Sequence, residues 1–304
     1  MGDSGRVYAH GEVLQRRQDP KLNIFKARSG NEYFVFKRVP KPCCELSQRF
    51  AAEFTGSRQL RMQLDSNREE HILIYPYFRD TLLALTKSDP DLSVAWRKGK
   101  LHCVGEALPE LHSKNWIHIY VKPDDVLVNW SSDEDDIKTI GDVALGDFDI
   151  ASKAEKLRET PSQSQGIYVN VNLETLLVQY MYVFGGGTFL ILSSNEYQAL
   201  PRYGITPERA MLTQYFIYFG PVNKGILRQV YSEVWGNTLK SVSHAAELAR
   251  EENGNLRFEH WGQDLGLAMR DVISGMVKPD PTARLTMDQV MAHPYWQEGA
   301  EEGT

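Results

Sequence analysis

Hydrophobic and polar positions change rhythm along the chain. Residues 11–39 read as strands and turns. The run EYFVFKRV (32–39) crowds aromatic and β-branched residues together and stops before Pro40, as a strand does. ARSGNE just before it is a glycine-containing hairpin turn. From 46 to 64 the period lengthens. Leu46, Phe50, Phe54 and Leu60 recur at three- or four-residue steps or their multiples, which predicts a helix. HILIYPYF (71–78) is again strand-like and is stopped by Pro76.

Beyond this point helical spacing dominates. TLLALTKSD predicts a short helix and residues 94–115 a long one, kinked or tightened at Pro109. A strand follows at VLVNW (126–130), then an acidic surface turn SSDEDD (131–136) and the stretch ALGDFDIA (144–151). Past residue 172 the pattern is mostly helical. AREENGN (249–255) reads as a helix end. The last helix is predicted over 286–296, with Thr286 as N-cap and Asp288 in its first turn. No internal repeat or low-complexity linker interrupts this order. A strand-rich part with one helix precedes a larger helical part, with the boundary near Tyr77. Two such lobes enclose a cleft, where ligands usually sit.

Composition adds exclusions. The chain has 304 residues, 42% apolar and 24% charged, which is ordinary for a globular protein with a substantial core. Lys and Arg number 34 against 40 Asp and Glu, a formal charge of −6, so neither nucleic acid nor an anionic membrane is expected as a partner. The longest apolar candidate, 176–192, is broken by Gln179 and three glycines and does not predict a membrane span. No apolar signal region follows Met1. Cys43, Cys44 and Cys103 have no metal spacing and fit reduced thiols. An intracellular protein, cytoplasmic or nuclear, is the expectation.

The chemistry-bearing pieces occur in one order: a strand lysine, Lys37; a helix carboxylate, Glu53; the loop HIYVKPDD (118–125); and GDFD (146–149). Their order and context resemble the eukaryotic protein kinases, from about Gly11 to Trp296. VKPDDVLVNW…GDFD and KPDPTARLTMDQVMAHPYW are similar, more narrowly, to fungal kinase-like proteins. The resemblance implies an α+β, bilobal protein-kinase-like fold, with an N-lobe over 1–77 and a C-lobe over 78–304. It implies ATP and Mg²⁺ as cofactors, and a protein partner. Lys37 would contact nucleotide phosphates and pair with Glu53. Backbone near Pro76–Phe78, flanked by Tyr75 and Tyr77, would meet an adenine edge. Lys122 would help neutralise a transferred phosphoryl group, and Asp125 and Asp147 would bind Mg²⁺.

Three departures cut against catalysis. Tyr120 stands where the family places its base, and a phenol with a pKa of about 10 is a poor base at neutral pH. The region after Gly11 lacks the second and third glycines of a phosphate-covering loop and offers Gln15, Arg16 and Arg17 instead. No Pro-Glu appears between Asp147 and Asn172, so the substrate platform is shortened, and Arg284 loses its family partner. Ile119 replaces the loop arginine and Asp149 the glycine after Asp-Phe. The leading expectation is a pseudokinase, open to ATP and Mg²⁺ but transferring phosphate poorly or not at all. An active serine/threonine kinase is the alternative, with Asp124 or Asp149 as base. A nucleotide-free scaffold is the second, with Tyr180, Tyr182, Phe184 and Phe189 as candidate surface.

Overall fold

The element order follows the change of rhythm. A computed structural model describes residues 1–89, 92–118, 121–134, 138–153, 198–230, 232–254 and 256–297. It is a mixed α/β architecture, with an antiparallel sheet in the N-terminal part and helices in the C-terminal part. By contacts it divides into two units, one of Met1–Leu85 with Pro123–Ala151, the other of Thr86–Lys122 with Ser152–Thr304. No helix among the described residues is long and apolar enough to cross a membrane.

The first unit is built on β1 (Ala9–Gln15), β2 (Ile24–Ser29), β3 (Glu32–Arg38), β4 (Asp65–Asn67) and β5 (Ile72–Pro76), in the order β1-β2-β3-β5-β4. Gly30, at φ +61°, makes the β2–β3 turn that ARSGNE predicts. Alternation along β3 directs Phe34 and Phe36 to one face, where Tyr8 meets their rings at 5.1 and 5.5 Å. Ala27 and Ile74 complete that cluster. The other face carries Val35 and Lys37.

Helix α1 (Lys41–Glu53) departs from the expected 46–64. Apolar spacing continues through Leu60, but the helix stops because Thr55 turns back onto the carbonyls of Ala51 and Ala52 and Gly56 adopts φ +84°. Leu60 instead bridges to Leu145, with Leu145 N donating to Gln59 O and Arg61 N to Leu145 O, each at 2.7 Å. Those contacts lie on β9 (Lys138–Leu145), which pairs with β8 (Val126–Ser132) and, through it, β6 (Asp80–Thr81). Ser131 and Ser132, expected in a turn, extend β8.

The N-terminus is fastened to β4 by two carboxylates, Asp3, which accepts from the Ser66 hydroxyl at 2.8 Å, and Asp65. Asp65 accepts from Ser4 N (3.1 Å), Ser66 N (2.8 Å), the Tyr8 hydroxyl (2.9 Å) and the Ser4 hydroxyl. Burial opposes the Asp65 charge, but these donors outweigh it and hold its pKa below the usual range. Burial, with the same hydrogen bond, raises Tyr8 to about 12.

α2 (Leu82–Ser88) is the short helix that TLLALTKSD predicts; in the second unit, α3 (Val94–Ser113) keeps Pro109 within the helix and is capped by Ser93. Short β7 (Trp116–Ile117) pairs with β10 (Ser152–Lys153). α4 (Pro207–Phe219) packs on α6 (Glu233–Asn253) through Phe216, Leu239 and Val242. α6 ends at Gly254, φ +61°, inside the stretch expected to end a helix. α5 (Lys224–Arg228), α7 (Phe258–Trp261) and α8 (Leu267–Met276) follow. The terminal helix is shorter than 286–296. α9 covers Met287–Met291, with Thr286 and Gln289 forming a reciprocal capping box, and a separate 3-10 turn covers Pro294–Trp296. Pro294 has no N–H to continue the helix, and His293 caps the new turn through Tyr295 N at 3.1 Å. Arg284 is buried. Its Nε donates to Lys278 O at 2.6 Å and its Nη2 meets the Tyr215 hydroxyl at 3.2 Å.

Asp65→Asn should lower stability by about 1–3 kcal/mol in urea denaturation, because it disrupts a shared acceptor. A depressed folded pKa means the contribution is present above the ordinary carboxylate pKa and fades as pH falls through the folded value. The parent should therefore lose protection of amides 2–8 in acid, and Asp65→Asn should show little of that pH dependence.

Candidate functional site

β3 brings Lys37 out on the face opposite the aromatic cluster, and the GDFD segment meets it there. Gly146 N donates to Asp125 O at 2.8 Å, which fastens the segment to the 3-10 turn Pro123–Asp125. Asp147 then takes the left-handed conformation (φ 61°, ψ 54°), which Asp tolerates better than most residues. A 3-10 turn over Phe148–Ile150 follows, and the Phe148 ring stacks on Phe50 of α1 at 4.8 Å with an 18° interplanar angle. This places two carboxylates on one ammonium. Lys37 Nζ lies 2.8 Å from Asp147 Oδ1 and 2.6 Å from Asp149 Oδ2. Burial disfavours the Lys37 charge, but Asp149 and Asp147 outweigh it and raise the pKa.

Lys37 thus pairs with these aspartates rather than with Glu53. Glu53 lies one turn from Arg49, at 4.0 Å. The tyrosines of β5 are engaged differently from each other. The Tyr75 hydroxyl is 3.1 Å from Ser47 Oγ of α1, and burial raises its pKa. Tyr77 N donates to Tyr33 O at 3.4 Å, while Lys26 Nζ lies 4.5 and 4.4 Å from the Tyr33 and Tyr77 rings. Asp125 is buried, Lys122 half-buried, and Tyr120 lies outside the described residues, as do Ile119 and Asn172. So do Tyr180, Tyr182, Phe184 and Phe189.

Arg61 carries no motif, and sequence reasoning passed it over. Its Nε and Nη2 both donate to Pro76 O, at 3.0 and 2.7 Å, and its guanidinium lies 5.0 Å from the Tyr75 ring. Burial lowers its pKa to about 10. Pro76 has no N–H, so its carbonyl is its backbone polar group, and Arg61 holds it.

The connection between β1 and β2 contains no glycine over 16–23. A 3-10 turn at Pro20–Leu22 fills it, capped by Asp19, and Asn23 accepts from Arg17 N at 2.8 Å.

The donor set does not suit a divalent cation as it stands. Asp147 and Asp149 are turned onto Lys37, and among the described residues no group of three or more His, Cys, Asp or Glu could hold a metal. No family model matches the chain, and no curated protein matches it.

The Lys37 cluster should be a coupled unit. Lys37→Met should cost about 1–3 kcal/mol by leaving two acids side by side, and the cost should largely vanish in an Asp147→Asn, Asp149→Asn background. Equal costs in both backgrounds, by chemical denaturation, would show that the ion pairs contribute nothing.

Proposed function

We propose that the chain is a pseudokinase, a protein-kinase-like domain that transfers phosphate poorly or not at all. The observation that carries this reading is the state of Lys37. It meets Asp147, 110 positions away, which brings the strand lysine and the Asp-Phe segment of the resemblance together, in place of the Lys37–Glu53 pair that the resemblance implied. The same ammonium also holds Asp149. Lys37 is thereby committed to two carboxylates, and the cluster keeps a net negative charge, where a kinase would present a cation to phosphate and a carboxylate to metal.

The adenine side is similarly self-satisfied. Arg61 takes the Pro76 carbonyl and Tyr33 O takes the Tyr77 N–H. ATP with Mg²⁺ must displace these partners, so its binding is weak. The missing glycines remove backbone donors, and Tyr120 is no base at neutral pH. The Arg61–Pro76 contact also favours a second reading, a nucleotide-free scaffold that acts through a protein partner. A soluble-ligand titration separates the two.

Radiolabelled phosphate transfer from ATP to itself or to a generic substrate should stay at background, and Tyr120→Asp alone should not raise it strongly. Transfer that disappears in Asp147→Ala would overturn the pseudokinase reading. A Kd at or above millimolar means that 1 mM ATP with Mg²⁺ stabilises the fold by at most about 0.4 kcal/mol, a small thermal shift. No shift at any concentration favours the scaffold.

A further inference from the structure

A cavity lies at the end of α1, walled by the loop that follows the helix, the end of β5 and β9. Its volume is about 710 Å³, within the range of roughly 300–1,000 Å³ usual for small-molecule sites. Phe54, Leu60, Pro76, Phe78 and Ala144 give it apolar walls. Half-buried Arg61 is set among them, and Arg58 and Asp142 line the cavity from exposed positions. Arg61 is fixed at both ends. Its backbone N donates to Leu145 O at 2.7 Å, and its Nε and Nη2 donate to Pro76 O. Those two donors form one fork of the guanidinium. The other fork, Nη1 with the second N–H of Nη2, meets no acceptor among the described residues. Among them, too, no carboxylate is ion-paired with Arg61. The acid whose charge it feels, Asp147, is bound to Lys37.

A cation withdrawn from water without a counterion is costly, and an arriving anion relieves that cost. The free fork matches the two oxygens of a carboxylate. Apolar walls give nothing to a small hydrated ion, but they gain from covering a hydrocarbon body. We propose that this cavity binds a compact organic carboxylate, with its two oxygens on the free fork of Arg61 and its apolar body against Phe54, Leu60 and Phe78. Because the two forks are separate, binding leaves the Pro76 carbonyl satisfied and needs no rearrangement of Arg61. Asp142, an acid on the same cavity, opposes the ligand's charge. Neither Lys37 nor its aspartates take part, so the site is independent of the pseudokinase reading.

The test is calorimetric titration of the full chain at low salt. The probes are benzoate, phenylbutyrate and octanoate, with phenylbutyramide as the neutral counterpart and inorganic phosphate as an anion without an apolar body. The proteins are the parent, Arg61→Gln, Phe78→Ala and Asp142→Asn. At least one carboxylate should bind the parent at or below millimolar concentration, with phenylbutyrate about tenfold tighter than its amide, as loss of one charge-assisted contact implies. Arg61→Gln, which keeps a donor for Pro76 O, should abolish that preference for acid over amide. Phe78→Ala should weaken the carboxylates and keep the preference. Asp142→Asn, an exposed substitution, should tighten them about twofold, and added salt should weaken them. Failure of all three carboxylates to bind at millimolar concentration would overturn the proposal. So would equal affinity for acid and amide in the parent, or phosphate binding as tightly as the best carboxylate. If Arg61→Gln does not fold, the parent's acid–amide comparison still decides. Carboxylate affinities unchanged in both Phe78→Ala and Asp142→Asn would put binding elsewhere and sink the site.

Discussion

The first unit depends on one ammonium group placed between two carboxylates. Asp147 and Asp149 sit in a single tight turn, beside the stacked rings of Phe148 and Phe50. Two acids so close, partly shielded from water, repel each other unless a cation intervenes. Lys37 supplies it from the central strand of the sheet. The turn is thereby tied to β3, while Phe148 ties it to α1 and Gly146 ties it to the turn at Asp125. Sheet, helix and return segment share one ion-paired cluster.

The same economy runs through the rest of the site. Polar groups withdrawn from water must find partners, and here they find them within the protein. Arg61 satisfies the Pro76 carbonyl, Ser47 meets the Tyr75 hydroxyl, and Tyr33 O accepts from Tyr77. A binding site organised for a ligand keeps some of these groups turned outward and leaves the ligand to complete them. Arg284 in the second unit illustrates the general rule, since its buried guanidinium engages a carbonyl and a tyrosine hydroxyl.

Local signals were legible wherever the cause is local. The β3 strand shows in its alternation, the β2–β3 turn in its glycine, and the start of α9 in Thr286 and Gln289, whose capping bonds span one turn. Helix ends decided by distant partners were not legible. The spacing of Leu60 suits a helix as well as it suits a bridge to Leu145, and only the presence of β9 selects the bridge. The end of α9 turns on Pro294, which is itself a local signal.

By itself the sequence determined the strands and helices with clear periods. It also determined the absence of glycines in the β1–β2 connection and the residue types at the candidate site, since all of these reside in neighbouring positions. The tertiary structure decided which charges meet. The resemblance implied a pair between Lys37 and Glu53. The left-handed turn at Asp147 and the stacking of Phe148 on Phe50 aim both aspartates at Lys37 and leave Glu53 beside Arg49. Arg61 had no sequence signal at all, because its partner is a backbone carbonyl, and a carbonyl carries no mark of its own in the sequence.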